Sequence, residues 1–227
     1  MNLFFNFNWL GVYVEQSKKS FSKIKLEKNG DKISLEKPNQ AAGYGQIECN
    51  LNWGAGSQEK KIFGLFKNKK SSEHLDVDLD LGCLYEMSDG SKSAIQALGN
   101  CFGSFDKFPY INLSGDDRSG TSTDGEFLYI NGNYFNEIKR VCVFAYIYEG
   151  AINWEEAKAK VTVKVPEQPV IEVILDTNQN KLSMCAIVML ENVKGKLKVT
   201  KLNKYFQNHS DLDKNYKWGM NWVSGSK

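Results

Sequence analysis

The sequence predicts an all-β protein, a two-sheet β-sandwich with short peripheral helices, and three observations carry that expectation. Apolar residues recur with a two-residue period through 31–37, 43–53, 75–86, 127–132, 160–165, 170–175 and 196–206, as half-buried strands require. These stretches are separated by glycine- and asparagine-containing clusters, and 19 glycines with only 4 prolines give many turns without low complexity. The order of elements is dominated by strands rather than by the strand–helix alternation of a parallel α/β sheet. At 227 residues the chain can bury a substantial core, and an all-β fold of this size is expected to form one domain. That domain is expected over 30–227, with an extension at 1–29 and a basic insertion at 54–74.

Taken in order, the opening MNLFFNFNWL is interrupted by Asn6 and Asn8, follows no basic residue and is too short to span a bilayer. It reads as one or two strands extending the sandwich, or as an interaction arm. Strands follow at 31–37 and 43–53, with Trp53 in the core. The insertion mixes Lys60, Lys61, Lys67, Lys69 and Lys70 with Ile62, Phe63, Leu65 and Phe66. A loop whose aromatics tuck against the sandwich is the simpler reading. The other is a segment lying on an anionic membrane, where each lysine contributes about 1 kcal/mol. Strands at 75–86 and 93–98 flank a turn at Ser88-Asp89-Gly90. After the strand at 127–132, residues 132–136 read as a turn or short helical crossover. Residues 141–147 are apolar without alternation, as in a strand buried on both faces. A brief helix at 154–159 precedes strands at 160–165, 170–175, 181–191 and 196–206. Ser210 and Asp213 have the spacing of a capping box, opening a short helix that Trp218 and Trp222 pack onto the sandwich.

Two acidic segments stand out. In the first, Leu75, Val77, Leu79, Leu81, Cys83 and Tyr85 fall on one strand face, with Asp76, Asp78 and Asp80 on the other. Same-face neighbours on a strand lie about 6.5–7 Å apart, so these carboxylates repel unless solvated or neutralised. In the second, Asp116, Asp117, Asp124 and Glu126 sit in a loop rich in glycine, serine and threonine. Such oxygen-rich, flexible sequence suits calcium, which takes about 6–8 oxygen ligands. The two segments are therefore expected to meet around calcium. The alternative is a solvated strand face and an ordinary turn. The loop is not a helix-loop-helix calcium site, because counting from Asp116 puts Arg118 third and Phe127 twelfth. Glycines 115 and 120 have phosphate-loop spacing, but Thr121 replaces the required lysine and the acids would repel phosphate.

Other function classes find little support. A formal net charge of +2 gives no reason to expect nucleic acid as a partner. The five cysteines, Cys49, Cys83, Cys101, Cys142 and Cys185, include no CxxC pair and read as reduced packing thiols of a cytoplasmic protein. The histidines, His74 and His209, stand apart from any nucleophile motif, and GxSxG, HExxH and a phosphate-loop lysine are absent. Acid–base use of two carboxylates, as in sugar hydrolysis, needs one of them in an apolar pocket rather than among polar turn residues. The chain is therefore expected not to be an enzyme.

An ordered set of motifs then resembles a known family. Asp31-Lys32-Ile33-Ser34-Leu35-Glu36-Lys37, Leu51-Asn52-Trp53, Val77-Asp78-Leu79-Asp80-Leu81, Gly115-Asp116-Asp117-Arg118-Ser119-Gly120 and Val141-Cys142-Val143-Phe144 follow the order of the tellurium-resistance proteins of the TerD superfamily. Gly82-Cys83-Leu84-Tyr85-Glu86, Gln96-Ala97-Leu98-Gly99-Asn100, Tyr148-Glu149-Gly150 and Met184-Cys185-Ala186-Ile187 resemble its TerA branch. The resemblance implies a two-sheet sandwich that binds calcium through Asp78 and Asp80 from the strand and Asp116 and Asp117 from the loop. TerD-type loops continue with a denser acidic run, where this chain has Thr121, Ser122 and Thr123 before Asp124 and Glu126, which implies weaker binding. It also implies a non-catalytic tellurite- or stress-resistance role, as a binding or scaffold module alongside other tellurium-resistance family proteins. Two further readings are a peripheral module on the inner membrane surface, using 54–74, and a hydrolase or thiol-dependent reductase.

Overall fold

The computed structural model describes residues 22–37, 43–53, 78–114, 125–149, 154–175 and 182–223. Among the described residues thirteen strands occur in chain order: β1 (Ile24–Lys25), β2 (Lys32–Leu35), β3 (Gln46–Asn52), β4 (Asp78–Met87), β5 (Lys92–Ile95), β6 (Gly103–Ser104), β7 (Ile111–Leu113), β8 (Glu126–Asn131), β9 (Ile138–Glu149), β10 (Lys160–Lys164), β11 (Ile171–Ile174), β12 (Met184–Val193) and β13 (Lys196–Phe206). They form a seven-stranded sheet in the order β1-β11-β10-β3-β8-β7-β6 and a six-stranded sheet in the order β2-β13-β12-β9-β4-β5. Among the described residues every strand pairing is antiparallel except that of β1 with β11. This is the expected two-sheet sandwich. Its helices are short: α1 (Trp154–Ala157), α2 (His209–Tyr216) and 3-10 turns at Leu98–Asn100 and Gly132–Glu137.

The inter-sheet core follows directly from strand alternation. Ile47, Cys49 and Leu51 of β3, Leu128 and Ile130 of β8, and Val161 and Val163 of β10 project from the seven-stranded sheet. They meet Leu79, Leu81, Cys83 and Tyr85 of β4 and Val141, Val143 and Ala145 of β9. Trp53 is buried with them, as its sequence position suggests.

The six-stranded sheet is also covered on its other face, which explains the uninterrupted apolar runs. Leu84, Cys142, Phe144, Tyr146, Met184, Ala186, Met189 and Phe206 form a second cluster with Leu212 of α2 and with Trp218 beyond it. Every residue of β4 is consequently buried. Gly82 lies opposite Phe144, and a Cβ there would stand 2.6 Å from the ring, so glycine is what lets the aromatic cross β4.

The helix cap differs from the sequence reading. Asn208, not Ser210, caps α2, its side chain accepting a hydrogen bond from the Asp211 N–H at 3.0 Å. Asn208 and Asp211 share the spacing of Ser210 and Asp213, and the backbone selects the earlier pair. Asp213 instead turns under the segment after the helix. Its Oδ1 accepts from Gly219 N–H at 2.8 Å, and its Oδ2 from Met220 N–H and Trp222 Nε1–H, both at 2.9 Å. Arg140 holds the same segment, with its guanidinium 4.0 Å from the Trp218 ring centroid and a hydrogen bond to Tyr216 O at 3.1 Å. Glu86 binds Arg140 at 2.6 Å and Lys139 at 2.8 Å, and these cations hold its carboxyl below the usual range despite burial of the group.

Candidate functional site

Glu126, the described end of the second acidic segment, meets β4 of the first by way of a hydrogen bond between sheets. On β4, Asp78 is 6% exposed and Asp80 fully buried, so the solvated-face alternative does not hold for these two. Leu79 and Leu81 enter the inter-sheet core, and alternation places Asp80 on the other face with Gly82 and Leu84. Its register partner on β9 is Tyr146. Burying carboxylates is costly without compensating charge or donors, so this is a demanding position for two acids.

Glu126 opens β8 in the opposite sheet and is 2% exposed. Its Oε2 accepts a 2.6 Å hydrogen bond from the backbone N–H of Leu81, the residue after Asp80. The reason lies in the sheet edge: β5 pairs with β4 only as far as Ile95 opposite Cys83, and Leu81 lies beyond that last pair. The glutamate supplies an acceptor where the neighbouring strand has ended.

The same stem is pinned on its other side. Gly125 has φ +71°, and a Cβ there would collide with the carbonyl oxygen of Leu51, so the approach to β8 demands glycine. Ser114 N–H donates to Phe127 O at 2.9 Å, and its hydroxyl accepts from Phe127 N–H at 3.3 Å, closing the neck of the β7–β8 connection. Ser114 and Gly125, which flank residues 115–124, are thereby held at the end of β8 that Glu126 ties to β4. Asp116, Asp117 and Asp124 themselves lie outside the described residues, as do Asp76 and the 54–74 insertion. Among the described residues no three His, Cys, Asp or Glu side chains form a metal-holding group.

Among the described residues the cysteines and His209 pack into the interior, with Cys101 the exception. Cys49, Cys83, Cys142 and Cys185 are buried, and burial pushes the Cys49 and Cys142 thiols up to about 12. Cys101 is exposed, which its sequence setting did not reveal. His209 packs against Phe144, Tyr146 and Trp222, with ring centroids 5.3, 5.4 and 5.0 Å away. Burial lowers it to about 4, so it is a neutral packing group at neutral pH.

Comparison with known proteins places this architecture. Tellurium resistance protein TerA from an Alcaligenes species is 43% identical over 211 residues, 92% of this chain. Over that span the chain is similar to the TerA type of tellurium-resistance protein. This TerA-like chain spans 60% of the length of that relative. No protein-family model matches it. The crystal structure of SAV2460, a protein of unknown function, superposes with a TM-score of 0.53 at 12% identity, covering 79% of this chain and 99% of that one, a likeness of fold. A homologue of telluride resistance protein (TerD), SCO6318 from Streptomyces coelicolor A3(2), gives a TM-score of 0.48 at 16% identity, covering 75% and 95%. No described helix is long and apolar enough to cross a membrane.

Proposed function

We propose that the TerA-like chain is a non-catalytic, calcium-binding module of a tellurite- and stress-resistance system, working in the cytoplasm as a binding or scaffold partner of other tellurium-resistance proteins. The observation that carries this reading is the hydrogen bond from Leu81 N–H to Glu126, which ties the stem of the acidic loop to the strand bearing Asp78 and Asp80. The donor set fits the ion, since carboxylates on a rigid strand and an oxygen-rich loop provide hard oxygen ligands. Asp78 and Asp80, with Asp116, Asp117 and Asp124, would hold calcium, and Glu126 anchors the loop stem. A bound calcium ion would supply the positive charge that lets these carboxylates share one site.

The residues of the chain then act as positioning groups. Glu126, Gly125 and Ser114 set where the loop leaves the sandwich, and β4 carries its two aspartates buried. Ordering of the loop on that frame would present it to a partner protein. The absence of catalysis is supported by the buried, high-pKa Cys49 and Cys142 and by the aromatic packing of His209. Isothermal calorimetry tests the reading: calcium should bind the full chain, and Asp78→Ala or Asp117→Ala should abolish the signal. Undiminished calcium binding in both variants would remove the assignment.

A further inference from the structure

The end of the six-stranded sheet opposite Asp80 carries a basic cluster of its own. Register fixes its location: Asp80 aligns with Tyr146 and Met184, whereas Glu86 aligns with Arg140 and Glu191 near the β12–β13 turn. There, among the described residues, a recess of about 400 Å³ is lined by Glu36, Lys37, Lys194, Gly195 and Lys196. Its lining thus carries three lysines and one glutamate.

Hydrogen bonds tie the backbone that carries this lining. Tyr44, buried to 1% exposure, donates its hydroxyl to Leu35 O at 2.9 Å and accepts from Leu197 N–H at 2.7 Å, locking β2 to β13. Asn192 accepts from Gly195 N–H at 2.8 Å and donates to Phe135 O at 2.9 Å, locking the turn to the 3-10 segment. Glu36 binds Lys196 at 2.6 Å, and Lys37 reaches Asn136 Oδ1 at 3.3 Å.

The turn itself is unusual in composition. Lys194 and Gly195 have φ of +54° and +80°, the signs of a type I′ turn, whose first central position favours asparagine, aspartate or glycine. A lysine there accepts a backbone cost that asparagine would reduce, and in return places an ammonium at the recess. Lysines act as point-charge binders of phosphate, and a recess of this size suits a small molecule rather than a protein surface.

We propose that this recess binds a small phosphate-bearing anion carrying at least two negative charges, such as a diphosphate group, held by Lys37, Lys194 and Lys196. Glu36 competes with the ligand for Lys196.

The test is titration of inorganic pyrophosphate into the metal-free full chain at low salt, read by backbone amide shifts and calorimetry. Shifts should centre on Lys194, Gly195 and Lys196. Lys194→Asn suits the turn while deleting the charge, and should weaken binding about tenfold. Glu36→Gln should tighten it, and Lys204→Ala, elsewhere on β13, should leave it unchanged. ADP binding with the same shifts would identify nucleotides as a source of the diphosphate, and pyrophosphate alone would identify the free ion. Absent shifts, equal affinity in Lys194→Asn, or equally tight binding of a hexaglutamate peptide would each overturn the assignment.

Discussion

The carboxylate of Glu126 accepts the backbone N–H of Leu81 at 2.6 Å, joining β8 of one sheet to β4 of the other where β5 has ended. Removing the acceptor leaves a buried amide unsatisfied, which costs about 1–3 kcal/mol. Glu126→Ala should lower urea stability by that amount, whereas Glu126→Gln, which keeps an acceptor oxygen, should lose less. Equal stability of the alanine variant and the wild type would mean that the contact contributes nothing net.

Asp213 makes the corresponding tie on the outer face. Its three donors, Gly219 N–H, Met220 N–H and Trp222 Nε1–H, lie after the end of α2, so its loss should free the segment rather than unfold the sandwich. Hydrogen bonds to a charged group contribute roughly 1.5–3 kcal/mol each at most, with strong coupling among three sharing one acceptor. Asp213→Ala should increase amide exchange at 217–222 and red-shift tryptophan emission, with core amides of β9 still protected.

His209 makes stability pH-dependent. Its folded pKa is lowered to about 4 from the usual 6.5, so between those values the unfolded chain binds a proton that the folded chain does not. Its contribution is therefore complete above about pH 6.5 and is lost as pH falls towards 4, amounting to about 3 kcal/mol at most. His209→Phe should flatten the stability profile between pH 7 and pH 4.5 relative to wild type. Parallel profiles would show that burial does not suppress protonation.

Thiol labelling distinguishes packing cysteines from the exposed one. Cys49, Cys83, Cys142 and Cys185 are buried, while Cys101 is exposed. A disulfide reagent at pH 8 should modify Cys101 rapidly in the native protein and the other four only on unfolding. Native labelling that survives Cys101→Ser would show that a buried thiol opens.

Legibility in the sequence followed the physics of each element. The β13 boundaries, Lys196–Phe206, coincide with the sequence expectation because burial alternates from Lys196 through Lys204 and only the last two residues break the pattern. β6 and β7 were missed because two- and three-residue strands carry no usable period. The apolar run at 141–147 was read as buried on both faces, but its cover, Leu212 and Trp218, comes from the distant C-terminal segment. At the candidate site the acidic residue types were visible. The burial of Asp80 and the hydrogen bond between Glu126 and Leu81 were not, since the first is set by packing between distant segments and the second joins residues 45 apart in the chain. Lys194 drew no notice because its meaning lies in a positive φ.

The most direct test of the calcium reading is the thermal melt of metal-stripped chain with calcium, magnesium or chelator. A ligand at a hundredfold excess over Kd stabilises by about 2.7 kcal/mol, several degrees for a chain of this length. The account predicts a calcium-selective rise of that size, lost in Asp78→Ala and in Asp116→Ala. Identical melts in all three conditions, or a rise that persists in both variants, would contradict it.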